Sequence, residues 1–126
     1  MIKFTSFAFP IVDGSEIHKT SNYTVVITAD SAKKFIIDSD VTFTLPAIAI
    51  GNVFTFIYGG NAGGATLTLS PNASDGICYA GSQTDDKDLI LTKATAQPGD
   101  FVTISSIDQT VSWQVTAIKG IWVKEA

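Results

Sequence analysis

Arginine is absent from this chain of 126 residues, so lysine supplies all eight of its basic residues. Aspartate and glutamate together number 12, which gives a formal net charge of -4, and only 16% of the residues are charged. Arginine is the residue best suited to bidentate recognition of phosphate, and nucleic-acid binding needs a clustered positive surface. The composition therefore argues against nucleic acid as a partner.

Cysteine and histidine each occur once, as Cys78 and His18. A single cysteine forms no disulfide within the chain, which suits synthesis in a reducing compartment. A single histidine excludes a two-histidine metal site or proton relay within one chain. No serine lies in the glycine-flanked turn of a hydrolase nucleophile. We therefore predict a protein that is not an enzyme and needs no metal or other cofactor.

Long hydrophobic runs are also missing. No window approaches the roughly 18 apolar residues of a membrane span, and polar residues interrupt the region where a signal peptide would need a continuous apolar core. We therefore expect a protein made in the cytoplasm, without a membrane partner. Hydrophobic residues still make up 45% of the chain, so some apolar surface is expected to meet another subunit or partner.

Three clusters of small or polar residues resemble functional sites, but each is better explained as a loop. The acidic run 85–88 could offer oxygen ligands to Ca²⁺, but it contains Lys87 and its spacing matches no EF-hand. Asp38 and Asp40 flank a serine, as residues of tight turns do. The glycine-rich run 59–64 lacks the lysine of a phosphate-binding loop. All three are predicted to connect strands.

Alternation of apolar and polar residues, often with threonine as the polar partner, dominates the chain from Tyr23 onward. This period of two predicts half-buried strands, and turn clusters interrupt it about every 8 to 12 residues. The pattern indicates an all-β fold: a single-domain antiparallel sandwich, jelly roll or small barrel of about eight or nine strands. The predicted strands are Tyr23–Thr28, Lys34–Ile37, Val41–Leu45, Val53–Tyr58, Ala65–Ser70, Ile77–Ala80, Leu89–Thr92, Phe101–Ser105 and Val111–Ile118.

Residues 1–22 lack this alternation and are predicted to form an extended N-terminal arm, with the β domain spanning residues 23–126. The arm is rich in phenylalanine, and burial of each such side chain would contribute about 2 kcal/mol. Two destinations are open: the arm packs on its own domain, or it reaches a neighbouring subunit or another partner. In the second case the predicted contact residues are Phe4, Phe7, Phe9 and Ile11.

Five stretches follow one another in a distinctive order. They are Thr44-Leu45-Pro46, GNVFTF at 51–56, GATLTLSP at 64–71, PGDFVTI at 98–104, and Ser112-Trp113-Gln114-Val115. Their order resembles a β-rich module of tailed-bacteriophage virion proteins, found in head decoration (cement) proteins and in fibre or tail-spike segments. The likeness covers the region from Val41 to Val123. The arm has no counterpart in that module.

The resemblance implies a non-enzymatic virion protein, commonly a homotrimer, synthesised in the host cytoplasm. Because the module and a short arm account for the length given, we expect a capsid decoration protein that binds the major capsid protein on the head exterior and stabilises the shell. The alternative is a fibre or tail module that binds a receptor or a carbohydrate, such as a host surface glycan. For a glycan, the candidate stacking rings are Trp122, Tyr79 and Tyr58. Trp113 alternates with valines and is expected in the core.

Overall fold

A computed structural model describes residues 16–30, 33–106 and 112–126, which form two β-sheets packed face to face. The only helix in these ranges is the four-residue turn α1 (Ile27–Asp30). The strands are β1 (Glu16–Lys19), β2 (Tyr23–Thr24), β3 (Lys34–Ile37), β4 (Val41–Thr44), β5 (Asn52–Tyr58), β6 (Leu67–Ser70), β7 (Gly76–Cys78), β8 (Leu89–Leu91), β9 (Phe101–Ser106), β10 (Ser112–Lys119) and β11 (Trp122–Lys124).

The chain crosses from one sheet to the other after almost every strand. The six-stranded sheet has the order β1-β3-β5-β9-β10-β7, and the five-stranded sheet has the order β11-β8-β6-β4-β2. Because consecutive strands from β1 to β9 lie in opposite sheets, neighbours within a sheet are mostly two strands apart in sequence. Two runs of parallel strands result, namely β1, β3 and β5 in one sheet and β2, β4 and β6 in the other.

The predicted all-β class is confirmed, but the expected antiparallel pairing is only partly right. Of the nine strand pairs among the described residues, five are parallel. An alternation of period two identifies a half-buried strand but not its direction. The sequence pattern therefore does not indicate whether two strands pair in parallel or antiparallel. The eleven observed strands also exceed the eight or nine predicted. The difference comes from the short strands β1 and β11, which the alternation did not reveal.

Aromatic side chains from both sheets meet in the core. Phe35 and Phe56 stack as neighbours on β3 and β5, with ring centroids 5.5 Å apart. Phe43 comes from β4 in the opposite sheet and lies 5.1 Å from Phe35 and 4.9 Å from Phe56. Trp113 is fully buried against the edge of Phe54, which confirms the prediction that it belongs to the core. The two layers are therefore held together by one continuous aromatic and aliphatic cluster.

The β-structure begins before the predicted domain boundary. Residues 16–19, which the sequence analysis assigned to the arm, form β1 at the edge of the six-stranded sheet and pair in parallel with β3. The predicted contact residues of the arm lie outside the described residues; they are Phe4, Phe7, Phe9 and Ile11.

Candidate interaction surface

Residues 16–30, 33–106 and 112–126 form no pocket, and none of them belongs to a group of His, Cys, Asp or Glu that could hold a metal ion. No helix in these ranges is long and apolar enough to cross a membrane. His18 and Asp38 form an exposed pair at 3.1 Å.

Tyr58 does not present its ring to a ligand. Its side chain is fully buried, and its hydroxyl donates a 2.6 Å hydrogen bond to the carbonyl of Asn61. A Cβ at Gly60 or Gly64 would lie within 2.8 Å of the Tyr58 hydroxyl. The glycine-rich run is a loop, as predicted, and at these two positions it makes room for the end of the tyrosine side chain.

Trp122 is also buried, at 5% exposure, and its Nε1 donates to the carbonyl of Lys119 at 2.9 Å. The expectation that it lies free to stack on a sugar is therefore not met. Tyr79 is half-buried beside an isolated bridge to Ser82. The three aromatic rings proposed for glycan stacking thus form no shared platform, because two of them belong to the core.

Two of the most exposed large apolar side chains lie at the last strand, one just before it and one within it. Ile121 is 61% exposed and Val123 is 51% exposed. Val123 faces the half-buried Ile90 directly across the β11–β8 pair. Among the described residues, strand β11 pairs with β8 alone and forms the edge of the five-stranded sheet. We refer to Ile90, Ile121 and Val123 as the β11 patch.

Two inward-facing anchors hold the β11 patch in this orientation. The ring of Trp122 enters the core, while the Nζ of Lys124 donates to the carbonyls of Ile77 at 2.9 Å and Lys87 at 3.1 Å. Because side chains alternate along a strand, anchoring Trp122 and Lys124 inward forces Val123 outward. The lysine also ties β11 to β7 of the other sheet.

Burial perturbs two ionisable groups beside this edge. It raises the pKa of the Asp88 carboxyl above its ordinary 3.8, and the charges of Glu125 and Asp86 add to this, while a hydrogen bond with Ser70 opposes it. Burial also lowers the pKa of the Lys124 ammonium below 10.5, against the attraction of Asp88. Both charged forms are therefore disfavoured by the fold.

Replacing Asp88 by asparagine is expected to stabilise the protein at neutral pH, by about 1 kcal/mol or less for a half-buried group. The pKa of Asp88 is higher in the folded protein than in the unfolded chain. Its protonated form therefore stabilises the fold below pH 3.8, and this contribution is lost as pH rises through the folded pKa. The gain for Asp88→Asn, measured by thermal unfolding between pH 3 and 7, should therefore shrink towards acid pH. The exposed neighbour Asp85→Asn is the control, and an equal gain from it would contradict this explanation.

A second apolar feature lies on the outer face of the six-stranded sheet. Ile36, Ile57 and Phe101 stand side by side on β3, β5 and β9 because the strand registers align them. All three face away from the core and are half-buried. We refer to these three residues as the outer row. His18 on β1 and Lys119 on β10 continue it at its two ends.

Sequence reasoning missed both surfaces. The alternation Ile121-Trp122-Val123 does not show which side faces the core, and the glycan-stacking prediction requires an exposed Trp122. Its larger apolar area makes it the better side chain to bury. The outer row depends on strand registers that join residues far apart in sequence, which the alternation alone did not give.

No protein-family model matches the chain, and no curated protein matches it either. The described residues define a two-layer β-protein with exposed apolar side chains at Ile121 and Val123, beside one sheet edge.

Proposed function

We propose that this protein is a structural component of a bacteriophage virion, and specifically a capsid decoration protein that binds the head exterior as a homotrimer. The proposal rests on the motif order from Val41 to Val123 and on the character of the exposed surface. It requires no catalytic group, and the function is to hold other protein subunits together.

The observation that carries the proposal is the β11 patch. Natural proteins commonly protect a sheet edge with charged side chains, proline or a covering loop. Here the outward side chains at the edge are Ile121 and Val123, both more than half exposed. Exposed apolar side chains next to a sheet edge favour contact with another protein chain.

A homotrimer gives this surface a partner within the assembly. Closed symmetric oligomers are the usual way in which a small protein covers apolar surface. Three linked copies also convert a weak contact with the major capsid protein into multivalent attachment, because the second and third contacts form at high effective concentration. A clamp of this kind resists the separation of neighbouring capsid subunits.

The alternative of a carbohydrate-binding fibre or tail module has less support. Its candidate rings at Tyr58 and Trp122 are buried, so only Tyr79 is partly available. A glycan-binding screen with the purified protein tests this alternative directly, and we expect no specific signal.

We expect a trimer in solution, measured by light scattering at micromolar concentration. The double variant Ile121→Lys/Val123→Lys should release monomers, because each lysine places a charge within the apolar contact. Val26→Lys is the matched control, since Val26 is 45% exposed but lies beside α1 and away from β11. A native protein that scatters as a 13.3 kDa monomer would refute the trimer.

Attachment to the capsid is tested by counting copies in purified virions. A decoration protein is expected in hundreds of copies per particle, whereas a fibre or tail protein is expected in a handful. Absence from virions would refute the proposed function as a whole.

A further inference from the structure

We propose that neighbouring copies of the chain meet head to tail across the β11 patch, so that the carboxylates at one end of the patch lie beside Lys93 of the next copy. This inference rests on the proposed homotrimer and names the charged residues that the partner copy brings to the contact. A monomeric native protein would refute the homotrimer itself. The experiments below instead test the polarity of the contact in a protein that assembles.

Carboxylates gather at one end of the β8–β11 strand pair. The strand register continues to Glu125 and Asp88, where the N–H of Glu125 donates to the carbonyl of Asp88 at 2.9 Å. The N–H of Asp88 donates in return to the Glu125 carboxylate at 3.0 Å. Burial raises the pKa of Asp88, and the charges of Glu125 and Asp86 raise it further, so the three carboxyl groups are close enough to repel one another. We refer to Asp86, Asp88 and Glu125 as the acidic end.

The lysine nearest the acidic end does not neutralise it. Lys124 attracts Asp88, but its Nζ donates to the carbonyls of Ile77 and Lys87. Within the part of the chain that the structure describes, no lysine forms an ion pair with a carboxylate of the acidic end. A cationic group from another chain would therefore find complementary charge here.

The opposite end of the same strand pair carries an exposed lysine. Thr92 follows β8 and lies opposite Ile121 when the register is continued, and Lys93 comes next. The backbone N–H of Lys93 donates to the hydroxyl of Thr66 at 3.0 Å, which holds this turn beside β6. The nearby Asp40 precedes β4, three strands from β11, and its carboxylate accepts a hydrogen bond from the N–H of Thr66 at 2.9 Å.

The β11 patch thus has an apolar centre between two ends of opposite charge. From Asp88 to Lys93 the chain advances by five residues, which is about 17 Å along an extended strand. If two copies met with these strands side by side in the same direction, like charges would face each other at both ends, which disfavours that arrangement. A head-to-tail approach places the acidic end of one copy beside Lys93 of the next.

A closed ring uses this polarity in every copy. Each copy directs its acidic end towards one neighbour and Lys93 towards the other, so a ring of three contains three equivalent contacts. Burial of Ile121 and Val123 supplies attraction between copies. The charges at the two ends select the orientation, because opposite charges attract only in the head-to-tail arrangement.

Thiol cross-linking tests this orientation in the full-length protein. Every chain carries Cys78→Ser, which removes the native thiol. A chain with both Lys93→Cys and Glu125→Cys should give covalent dimers and trimers with a short bismaleimide, because the two thiols meet between copies. Each of these cysteines alone should give only monomers on a denaturing gel. Cross-linked dimers from either single cysteine, or none from the pair, would overturn the head-to-tail contact.

A distant cysteine provides the control for random collisions. Thr24 is exposed on β2, at the opposite edge of the five-stranded sheet from β11. Thr24→Cys combined with Glu125→Cys should give no covalent dimers under the same conditions. Cross-linking of this control as efficient as that of the Lys93→Cys pair would also count against the proposal.

Charge reversal gives an independent result. Lys93→Glu and Glu125→Lys should each raise the protein concentration needed for assembly about tenfold, because like charges then meet at all three contacts. The combined variant Lys93→Glu/Glu125→Lys exchanges the two charges and should recover assembly, measured by light scattering over a dilution series. Lys34→Glu alters an exposed lysine of the other sheet and should have no effect.

The combined variant also separates lost contact from lost folding. Glu125→Lys removes the acceptor of the Asp88 N–H, so thermal unfolding is measured alongside assembly. Lys93→Glu changes an exposed side chain and carries the test if Glu125→Lys loosens β11. A Lys93→Glu protein that assembles like the wild type would overturn the proposal while leaving the homotrimer intact.

Discussion

Replacing Phe43 by alanine is expected to lower the free energy of unfolding by about 3–5 kcal/mol, the usual cost of removing a buried phenylalanine. Phe43 is the side chain through which the five-stranded sheet contacts both Phe35 and Phe56 of the other sheet. Its removal leaves a cavity between the two layers, which the rigid strands on either side cannot close. A domain of this kind is stable by only about 5–15 kcal/mol in total, so a large part of its stability should disappear.

Urea denaturation measures this loss through the shift of the midpoint at constant slope. Thr44→Ala is the matched control because Thr44 follows Phe43 on the same strand and faces solvent. We expect that control to change stability by less than about 0.5 kcal/mol. If Phe43→Ala cost no more than Thr44→Ala, the aromatic contact between the sheets would not be the main link that we describe.

Replacing Gly120 by alanine should be nearly as damaging, at roughly 3 kcal/mol. Gly120 connects β10 to β11 with a φ of 110°, a conformation that side-chain-bearing residues rarely adopt. A Cβ there would lie 2.6 Å from the carboxyl carbon of Asp100. The buried Asp100 carboxylate accepts a hydrogen bond from the backbone N–H of Gln97 at 2.9 Å. The alanine would therefore displace the group that holds the turn before β9.

Gly81→Ala separates the cost of backbone strain at a positive φ from the cost of the steric clash with Asp100. Gly81 also has a positive φ, of 84°, but nothing lies within 4 Å of the position of its missing Cβ. It should cost only the conformational strain, about 1–2 kcal/mol. Thermal unfolding of both variants gives the difference, which is the cost of moving Asp100. Equal losses of stability in the two variants would show that the Asp100 carboxylate moves aside at no cost in free energy.

The sequence predicted the strands better than their arrangement. Alternating threonines and apolar residues located β4, β5, β6 and β9 closely, because half-burial imposes that pattern on any strand. Parallel pairing of β4 with β6 depends on the intervening crossing to the other sheet, which leaves no local signature.

The interaction surface was harder to predict for a similar reason. The composition predicted exposed apolar surface, but the contact residues named for it lie in the arm, outside the described residues. The aromatic rings were candidates for glycan stacking only. Burial of Tyr58 and Trp122 removes the large apolar area of their rings from water. The Tyr58 hydroxyl and the Trp122 Nε1 each donate a hydrogen bond to a backbone carbonyl, so their polar atoms are satisfied inside the protein. The smaller Ile121 and Val123 were left outside.

The alternate crossing between sheets has a consequence for the order of folding. Glu16 pairs with Lys34, and Lys34 with Thr55, so each early strand joins one that is only about twenty residues away. On its other side, Thr55 of β5 pairs with Thr103 of β9, which is 48 residues further along the chain. The early strands can thus pair as the chain emerges from the ribosome. One edge of β5 stays unpaired until β9 has been synthesised. Non-local pairing of this kind is slow, so the last third of the chain should set the rate at which the nascent protein becomes protected from aggregation.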